Sequence, residues 1–330
     1  MSTTLQLTLA CSDYDRTRAL RDGRVAVEGC ELTYLPLPVE ETFFRMLRHR
    51  EFDVAEMSLS SYVVSLHSAD PWLVAIPVYP SRSFRHAHIA VRSDRVRAPA
   101  DLAGRIVGTP EFQLTACVWV RGILADRHGL PVESVRYRTA GLETPNRPEK
   151  LRLELPPEID LAPLDRGLSL ADALARGEID AIQAPREPSS LLRGAPDVGR
   201  LFPDFRAVEE AYWADTRIFP IMHVIVLRRE LHERLPWLAG SLQKAFTWSR
   251  DLAYESLRTV AALATSLPFQ QAEVLRTQEL MGEDWWSYGL GENRHVLDTF
   301  LRYHHEQGLS PRRTEPEELF APSALEAFAI

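Results

Sequence analysis

Cysteine is sparse in this chain, and so are the signatures that usually name a chemistry. Cys11, Cys30 and Cys117 are odd in number and far apart, which excludes a disulfide framework and leaves no zinc-ligand spacing. No apolar run approaches the length of a membrane span. There is no Lys/Arg-rich run with interleaved aromatics and the net charge is −8, so neither a membrane nor a nucleic acid is an expected partner. The patterns G-x-S-x-G, Walker A and G-x-G-x-x-G are all missing, and with them goes support for nucleophile-elbow, nucleotide and Rossmann readings. Lysine is scarce, Lys150 and Lys244 alone, while arginine is common. Arginine suits planar, bidentate recognition of carboxylates; a GC-rich genome accounts for the bias equally well.

What is present is an ordinary globular composition, 45% hydrophobic and 25% charged, on 330 residues. That length exceeds what one core usually serves, so two lobes are expected. Leu7-Thr8-Leu9-Ala10-Cys11 superficially resembles the end of a lipoprotein signal, but it lacks a basic region and its apolar stretch is short. Alternating Leu5, Leu7 and Leu9 read as a first strand ending at Cys11-Ser12-Asp13-Tyr14, and the chain is expected in the cytoplasm.

One phrase occurs twice. Met46 to Ser58 and Ala173 to Pro185 each end an amphipathic helix, turn through Glu-apolar-Asp (Glu51-Phe52-Asp53, Glu178-Ile179-Asp180) and enter a short apolar strand. Two α/β lobes of similar plan would produce this echo. Ligands in open α/β sheets sit beyond the carboxyl ends of strands, so Glu56-Met57-Ser58 and Gln183-Ala184-Pro185 are candidate cleft positions.

Further elements are expected as helices near 15–22 and 39–49 and strands at 31–37, 53–58, 72–78 (stopped by Pro80) and 85–91. Thr109-Pro110-Glu111 predicts a helix start, Thr as N-cap and Pro at the first helical position, for a helix over 113–127. A strand at 135–138 precedes an irregular, proline-rich loop over 143–165, read as a lid or surface decoration. A strand at 218–226 returns to the first lobe, and helices at 236–263, 270–281 and 292–307 follow. The expected division is 1–91 with 223–330 as one lobe and 92–222 as the other. His304-His305-Glu306 reads as solvated surface.

The densest polar cluster, Ser81 to His88, lies where the chain crosses between lobes. On a strand His86 and His88 would share a face opposite Arg85. His86, His88 and Glu111 are the candidates for a metal, set against one functional histidine with an inert neighbour. The 109–115 helix start is a candidate anion cradle, with Glu111 either an acid or base or a partner of the helix dipole. His223 is either an interior histidine or a catalyst, and Arg217 either a carboxylate ligand or a surface charge.

Several of these segments together resemble the 4,5-dihydroxyphthalate decarboxylase family: Phe84-Arg85-His86, Gly108 to Ala116, Val118 to Leu124, Gly177 to Ala181, Phe219 to His223, Glu306 to Ser310 and Glu318 to Pro322. Trp286 departs from the pattern, which has proline after the aspartate-tryptophan pair. The resemblance implies an α/β, two-lobed, type II periplasmic-binding-protein-like fold, with the second lobe inserted through two crossover strands. It also implies a carboxy-lyase that turns 4,5-dihydroxyphthalate into protocatechuate and CO₂ in aromatic catabolism.

For that chemistry the expectation assigns His86, with Glu111 or His223, to proton transfer, and Arg82, Arg85 and Arg217 to the carboxylates. Ser58, Thr109, Gln113 and Thr115 add neutral donors. No organic cofactor is required and a divalent metal is an open alternative; a homo-oligomer is also open. A non-catalytic solute-binding protein or sensor, and an enzyme of the same fold acting on a thiamine-precursor or menaquinone-pathway substrate, are the competing readings.

Overall fold

The computed structural model describes residues 4–147, 150–151, 153–164 and 167–325. The chain divides into two units: the chain up to Arg82 with Ile221–His295 and the segment from Glu315 onward, and Ser83–Pro220 with Val296–Thr314. The crossings therefore fall at Arg82/Ser83 and Pro220/Ile221, and the segment 296–314 packs with the second unit. No helix among the described residues is long and apolar enough to cross a membrane.

In the first unit, β1 (Leu5–Cys11), β2 (Cys30–Pro36), β3 (Val54–Ser58), β4 (Leu73–Arg82) and β11 (Ile221–Arg228) form one sheet in the order β2-β1-β3-β11-β4. β1 runs parallel to β2 and β3, whereas β11 is antiparallel to both β3 and β4. The carboxyl ends of β1, β3 and β4 thus share one edge with the start of β11. The alternating leucines of β1 place Leu7 and Leu9 in the core, and Cys11 is buried within the same strand. The helix Trp237–Arg258 packs on Asp15–Arg21.

Pro80 does not stop β4, which runs through Pro77 and Pro80 to Arg82. The two prolines fall where the β4–β11 register jumps, between the Ile225↔Ile76 and His223↔Ser81 pairs. Proline is tolerated on an edge strand at such an irregularity, because no ladder donor is needed there.

In the second unit, β5 (Ile89–Arg92), β6 (Ile106–Thr109), β7 (Arg136–Thr139), β8 (Leu161–Pro163), β9 (Ala181–Gln183) and β10 (Val198–Arg200) form a sheet in the order β10-β5-β9-β6-β7-β8. β6, β7, β8 and β9 run parallel, and β5 is antiparallel to its neighbours. The proline-rich 143–165 loop therefore contributes an edge strand; its residues 148, 149, 152 and 165 lie outside those described.

The echo is a real structural repeat. Arg50 and Gly177 take left-handed conformations (φ 51° and 71°) after the helices Val39–His49 and Leu170–Ala175. Phe52 and Ile179 then bury themselves, each about 1% exposed. The Asp53 carboxylate accepts the backbone N–H of Thr8 at 2.9 Å, and Asp180 accepts that of Ile106 at 3.1 Å. In each case the next residues begin the parallel pairing, Leu9↔Val54 and Val107↔Ala181. The aspartate satisfies the last backbone donor before the ladder starts, a group that would otherwise be costly to bury.

Three local expectations are corrected. Residues 86–88 form a 3₁₀ turn ahead of β5, so His86 and His88 do not share a strand face. Thr109 ends β6 rather than capping a helix; the residue before proline is pushed toward extended backbone, and the helix starts only at Thr115 and runs to His128. His304 is fully buried beside Phe300 in the helix Arg294–Glu306, while His305 is exposed.

That last helix docks on Thr115–His128, with Trp119 against Phe300 and Tyr303 at centroid distances of 5.4 and 5.7 Å. Gly122 permits the approach: a Cβ there would overlap the Tyr303 ring. Gly122→Ala should therefore destabilise the protein by about 1–3 kcal/mol through overpacking, although alanine is the better helix former. Urea unfolding checks this, and a stabilised variant would contradict the packing described.

Candidate active site

The carboxyl-terminal edge of the first unit's sheet carries a buried charge. Glu56, in β3, is 0% exposed and its carboxylate is fully engaged. Oε1 lies 2.6 Å from His223 Nδ1 and accepts the Tyr14 hydroxyl at 2.7 Å. Oε2 accepts the Ser12 backbone N–H at 3.0 Å and the Cys11 thiol at 3.4 Å.

Sequence position explains the convergence. Cys11 is the last residue of β1 and Ser12 and Tyr14 follow it, Glu56 stands two residues before the end of β3, and His223 is third in β11, opposite Ser58. Burial pushes the Glu56 carboxyl upward, but the adjacent His223 imidazole and the donors from His223, Ser12 and Tyr14 outweigh it, so the net shift is downward. Glu56 is thus an anion at neutral pH. Burial and the same anion push the Cys11 thiol and Tyr14 phenol up, so both keep their protons.

His223 is held edge-on to Phe43 at 4.9 Å and its side chain is 16% exposed. With Nδ1 facing Glu56, Nδ1 carries the proton as donor and Nε2 presents the lone pair. The arrangement is a carboxylate–imidazole pair able to take up a proton and stabilise the cation that results. Arg16 adjoins it, its guanidinium 4.1 Å from the Tyr14 ring centroid and 4.0 Å from that of Trp286, and its Nε donating to Pro80 O.

The corresponding edge of the second unit carries cations and neutral donors. Glu111 is fully buried and is bound by Arg147, Nε at 2.8 Å and Nη2 at 2.6 Å. Lys150 adds Nζ at 3.5 Å and its backbone N–H at 3.2 Å, and Gln113 Nε2 donates at 3.1 Å. Thr109 Oγ1 donates to the Glu111 carbonyl at 3.0 Å. Thr115 opens the helix at this edge. Arg85 donates to Pro185 O at 3.3 Å, at the end of the second echo strand, and burial draws its pKa down to about 10. Glu111 therefore anchors the proline-rich segment to the residues after β6.

Other sequence candidates sit elsewhere. His86 is 3% exposed, packed between Phe202 and Tyr212 at 5.5 and 5.2 Å, with Glu209 3.8 Å from Nδ1. Arg82 donates to Ser287 O at 2.6 Å and to Asn293 Oδ1, stapling the end of β4 to the segment 287–293, and burial lowers its pKa to about 10. Ser58 caps the helix Leu59–Leu66. Arg217 ends the helix Phe205–Thr216 and lies over Trp213. Among the described residues no three His, Cys, Asp or Glu side chains assemble as a metal site, so His86, His88 and Glu111 form no ligand set. Tyr14, Arg16, Arg147 and Lys150 were not singled out from sequence. The strand-end rule that flagged Glu56 would have reached Tyr14, three residues past β1.

No family model matches the chain. Among solved structures it is similar to the aliphatic sulphonate-binding protein SsuA of Escherichia coli (TM-score 0.53, 15% identity, 97% of this chain and 99% of that one). It is also similar to the alkanesulfonate-binding SsuA of Xanthomonas axonopodis pv. citri (TM-score 0.51, 15% identity, 96% and 97%). Together with the strand order, these likenesses define an α/β protein of the periplasmic-binding-protein fold. Its sequence is 42% identical over 327 residues, 99% of each chain, to a 4,5-dihydroxyphthalate decarboxylase of Comamonas testosteroni. It is 41% identical over 201 residues, 61% of this chain and 78% of that protein, to one of Pseudomonas putida. The chain belongs to the 4,5-dihydroxyphthalate decarboxylase family.

The lowered Glu56 pKa has a consequence for stability. A group whose folded pKa is depressed contributes stability above its unfolded value, about 4.3 for glutamate, and loses it as pH falls through the folded value. Wild type should lose stability on acidification below about pH 4.3 more steeply than Glu56→Gln. Urea unfolding between pH 7 and pH 3 checks this; parallel curves would contradict the buried anion.

Proposed function

We propose that this chain decarboxylates a hydroxylated aromatic dicarboxylate, 4,5-dihydroxyphthalate, to protocatechuate and CO₂. The observation that carries the reading is 42% identity, over 99% of both chains, to a protein of that name. The Glu56–His223 pair supports it by supplying the proton-transfer group the reaction requires.

Direct loss of CO₂ from an aromatic ring would leave an unstabilised carbanion. A hydroxyl para to the departing carboxylate removes the difficulty. Its ionisation pushes electron density to the carbon bearing the carboxylate, and that carbon takes a proton drawn from solvent. The C–C bond then breaks with its electron pair restoring the aromatic ring, and the product phenolate takes its own proton back. One proton enters at carbon for each CO₂ that leaves. The ring serves as the electron sink, so the reading needs neither pyridoxal nor thiamine.

On this reading His223 Nε2 receives the phenolic proton, and the Glu56 anion stabilises the imidazolium and holds the ring in place. Positioned proton transfer of this kind contributes roughly 10²–10⁴-fold. Arg16 beside that pair, and separately Arg85 in the second unit, are the cations suited to a dicarboxylate; Thr109, Gln113 and Thr115 are neutral donors. The partner is a small aromatic acid, handled in the cytoplasm. A solute-binding protein of this fold would need no buried carboxylate–imidazole pair, and CO₂ release separates the two readings.

His223→Ala should lower turnover by roughly 10²–10⁴-fold, followed by CO₂ release and protocatechuate formation on protein shown by circular dichroism to be folded at the assay temperature. Its thermal midpoint should be lowered, because the buried Glu56 loses a partner. Near-normal turnover would overturn the assignment. His86→Ala, by contrast, should act mainly on stability, because its ring fills an aromatic niche. Exhaustive chelation should leave activity unchanged; loss restored by a divalent cation would contradict the cofactor-free route.

A further inference from the structure

We propose that Tyr14 is a positioning residue that sets the proton affinity of His223 by holding the Glu56 oxygen that the two residues share. The inference rests on the reading of His223 as the proton acceptor and adds a residue to that site. Tyr14 Oη and His223 Nδ1 both approach Glu56 Oε1, at 2.7 and 2.6 Å, while Oε2 is left to Ser12 N and the Cys11 thiol. Two donors on one carboxylate oxygen compete for the same electron density. Each weakens the hold of the other, so a phenol at this point restrains the basicity that a buried carboxylate confers on its imidazole.

The phenol is itself held. Arg16 lies over its ring at 4.1 Å, and the residue caps the start of the helix Asp15–Arg21. The titratable groups facing the pair are Cys11 from β1, Tyr14 and Arg16 at the first helix, Tyr34 from β2 and His223 from β11. Burial and Glu56 keep the Tyr14 proton in place, so it donates across the working pH range. Tyr34 provides an internal contrast: its hydroxyl bonds Ser12 O at 2.8 Å and Thr17 Oγ1 at 2.9 Å, not Glu56.

The test is the pH dependence of kcat/KM for Tyr14→Phe, beside a histidine NMR titration of the resting protein. With the competing donor removed, His223 binds its proton more tightly. The acid limb and the His223 titration should both move up by about one pH unit, the size of one charge-assisted hydrogen bond. Tyr34→Phe should leave both in place. Should Tyr14→Phe not fold, 3-fluorotyrosine at position 14, a stronger donor of similar shape, should move both downward. A folded Tyr14→Phe protein with an unmoved His223 titration would overturn the proposal. The resting titration reads the coupling without turnover, so a failure of His223 in catalysis, seen with His223→Ala, is distinguishable from a failure of the Tyr14 assignment.

Discussion

A single carboxylate with no access to solvent organises the first unit's polar edge. Removing Glu56 from water is expensive unless its charge is matched and its lone pairs are used. The structure meets both demands with four donors, from β1, β11 and the loop after β1. Because none of those donors can be moved without exposing the cost, the carboxylate fixes the orientation of His223 as firmly as any packing contact. The same burial that makes Glu56 hard to accommodate makes it a strong partner for an imidazolium, since screening by water is absent. The two oxygens are also differentiated, one facing the histidine and phenol, the other the backbone and thiol.

The second unit meets a similar problem differently. Glu111 is equally buried, but its counter-charges are Arg147 and Lys150 from the proline-rich segment. There the carboxylate is neutralised by permanent cations rather than by a titratable ring. One buried glutamate is thereby suited to proton chemistry and the other to anchoring a loop, although the residue type and degree of burial are the same. Environment, not identity, separates their roles.

Much of the scaffold was legible in the sequence because it follows from local rules. The Glu-apolar-Asp echo predicted two helix-to-strand turns, and both exist with a left-handed residue at the equivalent position, Arg50 and Gly177, and an aspartate on a neighbouring strand's N–H. Leucine alternation located β1, and the strand-end rule pointed to Glu56 and Ser58. The failures arose where tertiary context overrode a local signal. Pro77 and Pro80 sit in β4 because the pairing shifts around them, which no property of residues 72–82 alone discloses. Thr109-Pro110 reads as a helix cap, yet the threonine completes a parallel strand. The His86/His88 pair was read with a strand's period, and a 3₁₀ turn removed the shared face. Above all, the partner of His223 lies 167 residues away, and sequence alone offers no measure of that distance; an isolated histidine in an apolar strand and a glutamate at a strand end carry no mark of belonging together.

The central claim is that Glu56 and His223 act as one unit rather than as two residues of independent effect. A double-mutant cycle on turnover tests it most directly, comparing Glu56→Gln, His223→Ala and the combined variant. For groups that function as a unit, losses are grossly non-additive: the double variant should be about as slow as His223→Ala alone. A double variant whose loss equals the product of the two single losses would show independent residues, and would contradict the account.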